Sequence, residues 1–267
     1  MMVAHRPLTY PESVVAEGEA IAGRVAAAAA RTVAAGTARL FAAWCTGSPI
    51  PEAVDRRCDG VADLAARRAR VSQSIFFTDR YTALVAEHGD DDPSPREQVM
   101  EADMIFDGAR SYVRVADNWT SFPPADASGP RGPNDPLWPL DALFGAGDDA
   151  VEIGSETVRD IPATRCHLTI DLARADAALP AGVSVPSGPY RSLRRLPAEV
   201  WLDAAGLARR IAVNSDPTAA ADADVWSIVE LWDFGISIDI TLPSPDQLLA
   251  PREAYRRAYD ETPGPSA

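Results

Sequence analysis

The sequence predicts an α+β protein built as one strongly curved antiparallel half-barrel of about ten strands, with an N-terminal helix and a short central helical segment over its concave face. Three observations lead there. The apolar pattern changes from a helical period to a period of two after residue 36 and largely keeps it. Tight-turn signals such as Asp107-Gly108 join the alternating runs as hairpins. Consecutive strands usually pair with their chain neighbours, and a sheet of that width must curl, split or close. No internal repeat of fixed period is present. Residues 1–12 read as a tail, 13–260 as a single domain and 261–267 as a disordered tail.

The elements follow in order. Ser13–Arg31 has helical character, with Ser13 as the cap, Glu17 and Glu19 in the early turns, and Val14, Val15, Ile21 and Val25 as its larger apolar residues. Thr37–Cys45 alternates and places Ala38, Leu40, Ala42 and Trp44 on one face. Strands are expected over about Asp59–Ala65 and Arg67–Phe77, with Ala65-Ala66 as the turn. The segment HGDDDPSP, His88 to Pro95, reads as a polar loop. Gln98–Phe106 puts Met100, Ala102, Met104 and Phe106 on one face and returns as Arg110–Val115, with Trp119 beyond. Residues 122–136 are dense in Pro and Gly, and Asp135 then caps a short helix, PLWPLDALF. Ala150–Leu172 reads as two strands around Asp160–Ala163, followed by a helical turn at Ala173–Leu179. Glu199–Asp203 and Leu207–Asn214 form the next pair, joined through AAG. Val225–Leu242 is expected to close the sheet as a hairpin turning at Asp233-Phe234-Gly235.

Composition excludes some classes of function. The chain has 267 residues and a formal net charge of −14, so general phosphate-backbone binding is disfavoured, because nucleic-acid affinity comes largely from Lys and Arg. Docking on an anionic membrane is disfavoured for the same reason. Arg191, Arg194 and Arg195 form the densest late basic cluster and read as a solvated loop. No run reaches the roughly 18 apolar residues of a membrane span. The opening MMVAHRPLTYPESVV shows no signal peptide or lipid-attachment cysteine, so the chain as written is expected in the cytoplasm, and as exported if the start site differs. Cys45 and Cys58 flank a turn-rich linker. A disulfide between them is open if the flanking strands bring their Cα atoms within about 7 Å, although a reducing compartment favours thiols. Cys166 reads as a small core residue.

Catalytic signals are absent. No G-x-S-x-G, H-E-x-x-H, G-x-G-x-x-G or P-loop pattern occurs. His5, His88 and His167 have no partner recognisable in the sequence, and the Asp90–Asp92 run lacks a calcium-loop spacing. Glu101 and Asp103 alternate against the methionine face and should meet solvent; Asp171 and Glu230 are within reach of a cavity but read as surface or turn-proximal charges. No catalytic residue, metal or cofactor is expected.

The candidate ligand-lining residues are Leu40, Trp44, Met100, Met104 and Phe106. Small residues on the first strand (Ala38, Ala42, Ala43) leave room inside a half-barrel, and methionines make a pliable wall. The same stripes equally describe an ordinary core. Trp226 and Trp232 share one strand parity, opposite to Val225, Val229 and Leu231.

The order of GTARL, CDGVADLAARRARV, IFDGARSYVRV and a Trp resembles the first half of LolA-like and LppX-like bacterial lipoproteins. DPLWPLDALFGA with VEIGSETVRDIPATRCHLTIDL is similar to their central helix and following hairpin, and LPAEVWLDAAGLARRIAV with LWDFGISIDITLPSP to their closing strands. The resemblance implies an incomplete, strongly curved barrel plugged by helices, exported and often lipid-anchored, with a cavity for acyl chains and no catalytic motif. The chain departs from it at the N-terminus. The expected function is non-catalytic binding or carriage of a hydrophobic, lipid-like ligand, gated by Phe122–Asp135 or the helix after it. Two alternatives stay open: a cytoplasmic enzyme that folds a greasy natural-product substrate for cyclisation or rearrangement, and a protein-interaction module.

Overall fold

The computed structural model describes residues 12–46, 54–76, 99–108, 110–115, 117–122, 135–180, 183–185, 194–215 and 225–254. Helix α1 runs from Glu12 to Ala34. Strands follow at Thr37–Thr46 (β1), Val54–Asp63 (β2), Arg68–Phe76 (β3), Val99–Asp107 (β4), Arg110–Val115 (β5) and Asn118–Phe122 (β6). A short helix, Trp138–Ala142 (α2), continues into a 3-10 turn at Leu143–Gly145. Then come Val151–Val158 (β7), Ile161–Asp171 (β8), helix Leu172–Ala178 (α3), Arg195–Asp203 (β9), Ala208–Asn214 (β10), Val225–Trp232 (β11) and Leu248–Leu249 (β12).

All twelve strands join one open sheet in the order β12-β6-β5-β4-β3-β2-β1-β11-β10-β9-β8-β7. The chain enters the sheet at its centre. One meander, β1 to β6, builds outward to one side; the chain then crosses to the opposite edge and a second meander, β7 to β11, builds back to β1. The crossing carries α2 and explains why a helical segment sits midway along a sequence of hairpins. The β2–β3, β4–β5, β7–β8 and β9–β10 turns gather at one end of the sheet. Arg159 and Asp160 at the β7–β8 turn both take positive φ (48° and 64°), the geometry whose twist matches flanking strands. The connections β1–β2, β3–β4 and β10–β11 leave from the other end.

Two expectations are corrected. Among the described residues the sheet has twelve strands rather than about ten, because Trp119 lies within a strand of its own and Leu248–Leu249 adds a short edge strand pairing parallel with β6. The closing hairpin does not form. β11 is hydrogen-bonded to β1 on one side and β10 on the other, so neither edge is open to a returning strand. The chain instead turns at Asp233 (φ 49°), Gly235 N–H donates to Thr37 O (2.8 Å), and Thr37 Oγ1 donates to Ile236 O (2.6 Å). Smaller differences concern boundaries: β2 starts five residues earlier than expected, at Val54, and the β7–β8 turn falls before Ile161.

The helices pack on one face. Ile21, Ala22, Val25, Ala28 and Ala29 of α1 join the same buried cluster as inward residues of β8–β11. Thr32 Oγ1 donates to Ala28 O (2.7 Å) and accepts the Ala208 N–H (2.9 Å), tying α1 to the start of β10. Asp135 Oδ1 accepts the Leu137 N–H (2.8 Å) at the entry to α2, and Asp141 pairs with Arg67 of the β2–β3 turn (3.4 Å). Asp171 caps α3 by accepting from Ala173 and Arg174 N–H. The expected polar loop at 88–95 and the two tails lie outside the described residues.

Candidate ligand-binding face

Strand alternation divides β1 between two faces. Ala38, Leu40, Ala42 and Trp44 enter the main buried cluster, as their period predicted; Phe41, Ala43 and Cys45 point the other way and belong to a second cluster. The register carries the first face across the sheet. Leu40 lies opposite Gly60 and Leu231, Ala42 opposite Cys58 and Val229, and Val71 opposite Met104. Val71, Met104, Phe106, Ala62 and Ala69 complete a continuous apolar surface over β1–β4. Each buried Leu, Met or Phe on it is worth roughly 1.5–3 kcal/mol relative to exposure.

That surface has a small-residue floor: Ala38 and Ala42 on β1, Gly60 and Ala62 on β2, Ala69 on β3. Gly60 is demanded by close approach, since a Cβ there would strike the Arg70 carbonyl oxygen. α1, α2 and α3 make their principal contacts with β7–β11 and with one another, not with β2–β6. Polar groups are few on this face. Cys58 Sγ lies 3.9 Å from Gln73 Oε1, and burial pushes the Cys58 thiol up to about 12, with Arg56 opposing and Asp59 reinforcing that shift. It is a neutral, hydrophobic thiol at ordinary pH. Arg56 sits 3.8 Å over the Trp44 ring toward the end with the long connections. Two buried groups on the inner side, Thr120 Oγ1 and Trp138 Nε1, have no hydrogen-bond partner among the described residues.

Of the five predicted lining residues, Leu40, Trp44, Met104 and Phe106 lie in this one cluster. Met100 is in β4 opposite Ile75. Two clefts lined by described residues lie elsewhere: one of about 230 Å³ between α1 and the β9–β10 turn, and one of about 300 Å³ bordered by Ser72, Glu101, Ala102, Asp103 and Arg114. Phe122 ends β6, residues 123–134 lie outside the described residues, and Asp135 is buried at the entry to α2.

The disulfide expectation is overturned. Cys45 pairs with Val54 while Cys58 pairs with Ala42, and the two thiols belong to clusters on opposite faces of the sheet. No bridge joins them. Cys166 is a core residue, as expected, and burial raises its thiol pKa too.

The opposite face holds a network that the sequence reading missed. Glu230 is buried there; its Oε2 accepts from Arg159 Nε (2.8 Å) and its Oε1 from Arg210 Nε (2.8 Å) and Nη2 (2.6 Å). Arg165 grips Glu199 through Nε (3.1 Å) and Nη2 (2.7 Å) and reaches Glu156 through Nη1 (2.6 Å). Trp201 Nε1 donates to Glu156 (2.9 Å), and this bond, then that from Arg165, holds the Glu156 carboxyl below its usual range. Arg159 stacks on Trp232 at 3.6 Å, and Arg165 and Arg210 flank Trp201, each at 5.2 Å. Glu230 is therefore a buried, doubly paired carboxylate rather than a surface charge. His167 lies opposite Glu199 on the same face, 3.8 Å from it and half exposed. The missed signal was parity: Trp201, Arg210 and Glu230 fall in one cross-strand row. Every carboxylate in this row is engaged by arginine, which leaves none placed as a general base. Among the described residues no group of three His, Cys, Asp or Glu is arranged to hold a metal, and no described helix is long and apolar enough to cross a membrane.

No family model and no curated protein matches the chain. Solved structures do. In fold the chain is similar to LprF from Mycobacterium bovis (13% identity, 85% of this chain and 97% of that one, TM-score 0.49). It is also similar to the lipoprotein LppX from Mycobacterium tuberculosis (11% identity, 87% and 100%, TM-score 0.44) and to a LolA superfamily protein from Nitrosomonas europaea (11% identity, 85% and 94%, TM-score 0.28).

Proposed function

We propose that the protein binds or carries a hydrophobic ligand of acyl-chain or lipid-like chemistry and performs no reaction on it. The observation that carries this reading is the inner surface of β1–β4: apolar, floored by Ala38, Ala42, Gly60, Ala62 and Ala69, and set apart from the strands on which the helices pack. The resemblance of the motif order to LolA-like and LppX-like lipoproteins agrees with it. Binding is non-directional: each methylene moved out of water contributes about 0.8 kcal/mol, so a chain of ten gains roughly 8 kcal/mol before the costs of association. Leu40, Trp44, Val71, Met104 and Phe106 are the side chains in contact with the guest, and Met104 adapts to its shape.

Native mass spectrometry after gentle purification, with extraction of the released lipid, tests the proposal. A long-chain species should accompany the folded protein and leave on denaturation. Ala42→Leu, which raises the floor, should lower its occupancy while circular dichroism stays unchanged. Protein that carries no such species and displaces no fluorescent fatty-acid probe would overturn the reading.

A further inference from the structure

The cleft of about 230 Å³ between α1 and the β9–β10 turn is lined by Arg24, Arg31, Thr164, Cys166, Asp203 and Gly206, among others, and belongs to neither face described above. Arg24 and Arg31 are seven residues apart, two helical turns, and so project from the same side of α1, about 10 Å apart along its axis. Their charge balance differs. Arg24 pairs with Glu152 of the edge strand β7. Among the described residues no carboxylate lies within salt-bridge distance of Arg31. The carboxylate nearest at hand in the cleft, Asp203, is occupied: its Oδ1 accepts the Leu207 N–H (2.9 Å) and its Oδ2 accepts from Arg209 (2.6 Å). Arg31 lies against the β9–β10 turn. Gly206 takes φ +75°, and a Cβ there would collide with Arg31 Nη1, so the turn both requires glycine and leaves room for the guanidinium to lie across it. The thiol of Cys166, raised by burial, is neutral and brings no competing charge, while Thr164 adds a hydroxyl.

A guanidinium lining a cleft, with no carboxylate in salt-bridge range among the described residues, is open to an anion from outside. We propose that this cleft binds a small oxyanion, with Arg31 as the principal contact and Thr164 as a hydrogen-bond donor. Planar guanidinium suits phosphate and carboxylate oxygens alike. The site does not depend on the hydrophobic-ligand reading, and lipid-stripped protein should retain it.

Isothermal titration of the full chain with inorganic phosphate, and separately with monomeric dihexanoyl phosphatidic acid, tests this and distinguishes a free anion from a lipid headgroup. Saturable phosphate binding at millimolar concentration is expected, weakened roughly tenfold by Arg31→Gln, the size of one charge-assisted hydrogen bond. Arg31-dependent binding of the phosphatidic acid alone would assign the same site to a headgroup. Arg31 is exposed, so the variant should keep its circular dichroism spectrum; should it fail to fold, Thr164→Val asks the same question. Binding of neither probe, or binding untouched by Arg31→Gln, overturns the proposal.

Discussion

On β9, β10 and β11 the helix-covered face carries Leu196, Ala198, Val200, Ile211, Val213, Val229 and Leu231, while the opposite face of the same strands carries Glu199, Trp201, Arg210, Ala212, Ile228 and Glu230. Both sets are largely out of water. The first is buried by a separate layer, α1 and α2, which brings its own apolar side chains. The second is screened in large part by its own long side chains: arginine stems and guanidinium planes lie on Trp201 and Trp232, and their charged ends close on Glu199 and Glu230. Among the described residues this face is shielded without a covering helix, each carboxylate it buries being matched by arginine. The two kinds of burial should fail differently.

Substitution on the inner face should cost most. Leu40→Ala removes a fully buried side chain at the centre of the sheet and should destabilise by about 3 kcal/mol, read as a lower urea midpoint with unchanged slope. On the other face, Glu230→Ala strands Arg159 and Arg210, and about 2 kcal/mol is expected because both arginines keep partial access to water. Its signature is the repair: Glu230→Gln should recover part of the loss, whereas no polar substitution at Leu40 should. A loss at Glu230 equal to that at Leu40, with no recovery by Gln, would mean that the second face is buried like the first.

The buried thiol offers a third test, in pH. Cys58 rises from its ordinary 9.0 to about 12 in the folded chain, so the folded state holds its proton longer than the unfolded one. Its contribution is fully present below pH 9 and is lost as pH climbs toward 12, by about 1 kcal/mol one unit above the lower limit. Cys166 shifts the same way, so the measurement is the difference between the native chain and Cys58→Ala: the variant's stability should fall less steeply above pH 9. The smallest effect belongs to Arg39→Ala. Its partner Asp233 and the arginine itself are both more than half exposed, and the change should stay within about 0.5 kcal/mol and vanish at high salt.

The candidate site was legible in proportion to how local its cause was. Leu40, Trp44, Met104 and Phe106 share one buried face because a period of two places them there whatever the strand's neighbours are. Cys45 and Cys58 were joined in expectation because proximity in sequence suggested proximity in space, but the β1–β2 register sets them three pairs apart and on opposite faces. Glu230 looked like a surface charge because its partners, Arg159 and Arg210, come from other strands.

By itself the sequence determined the local grammar: helix α1, the inward stripe of β1 and the Asp107-Gly108 turn follow from propensity, parity and backbone geometry within a few residues. Only the tertiary structure decided that β11 docks beside β1, that no return strand follows it, that a buried ion-paired row covers the second face, and that Arg31 lines a cleft against the β9–β10 turn. Those outcomes depend on which strand edges and which charges meet across separations of tens to hundreds of residues, and a local pattern holds no record of that competition.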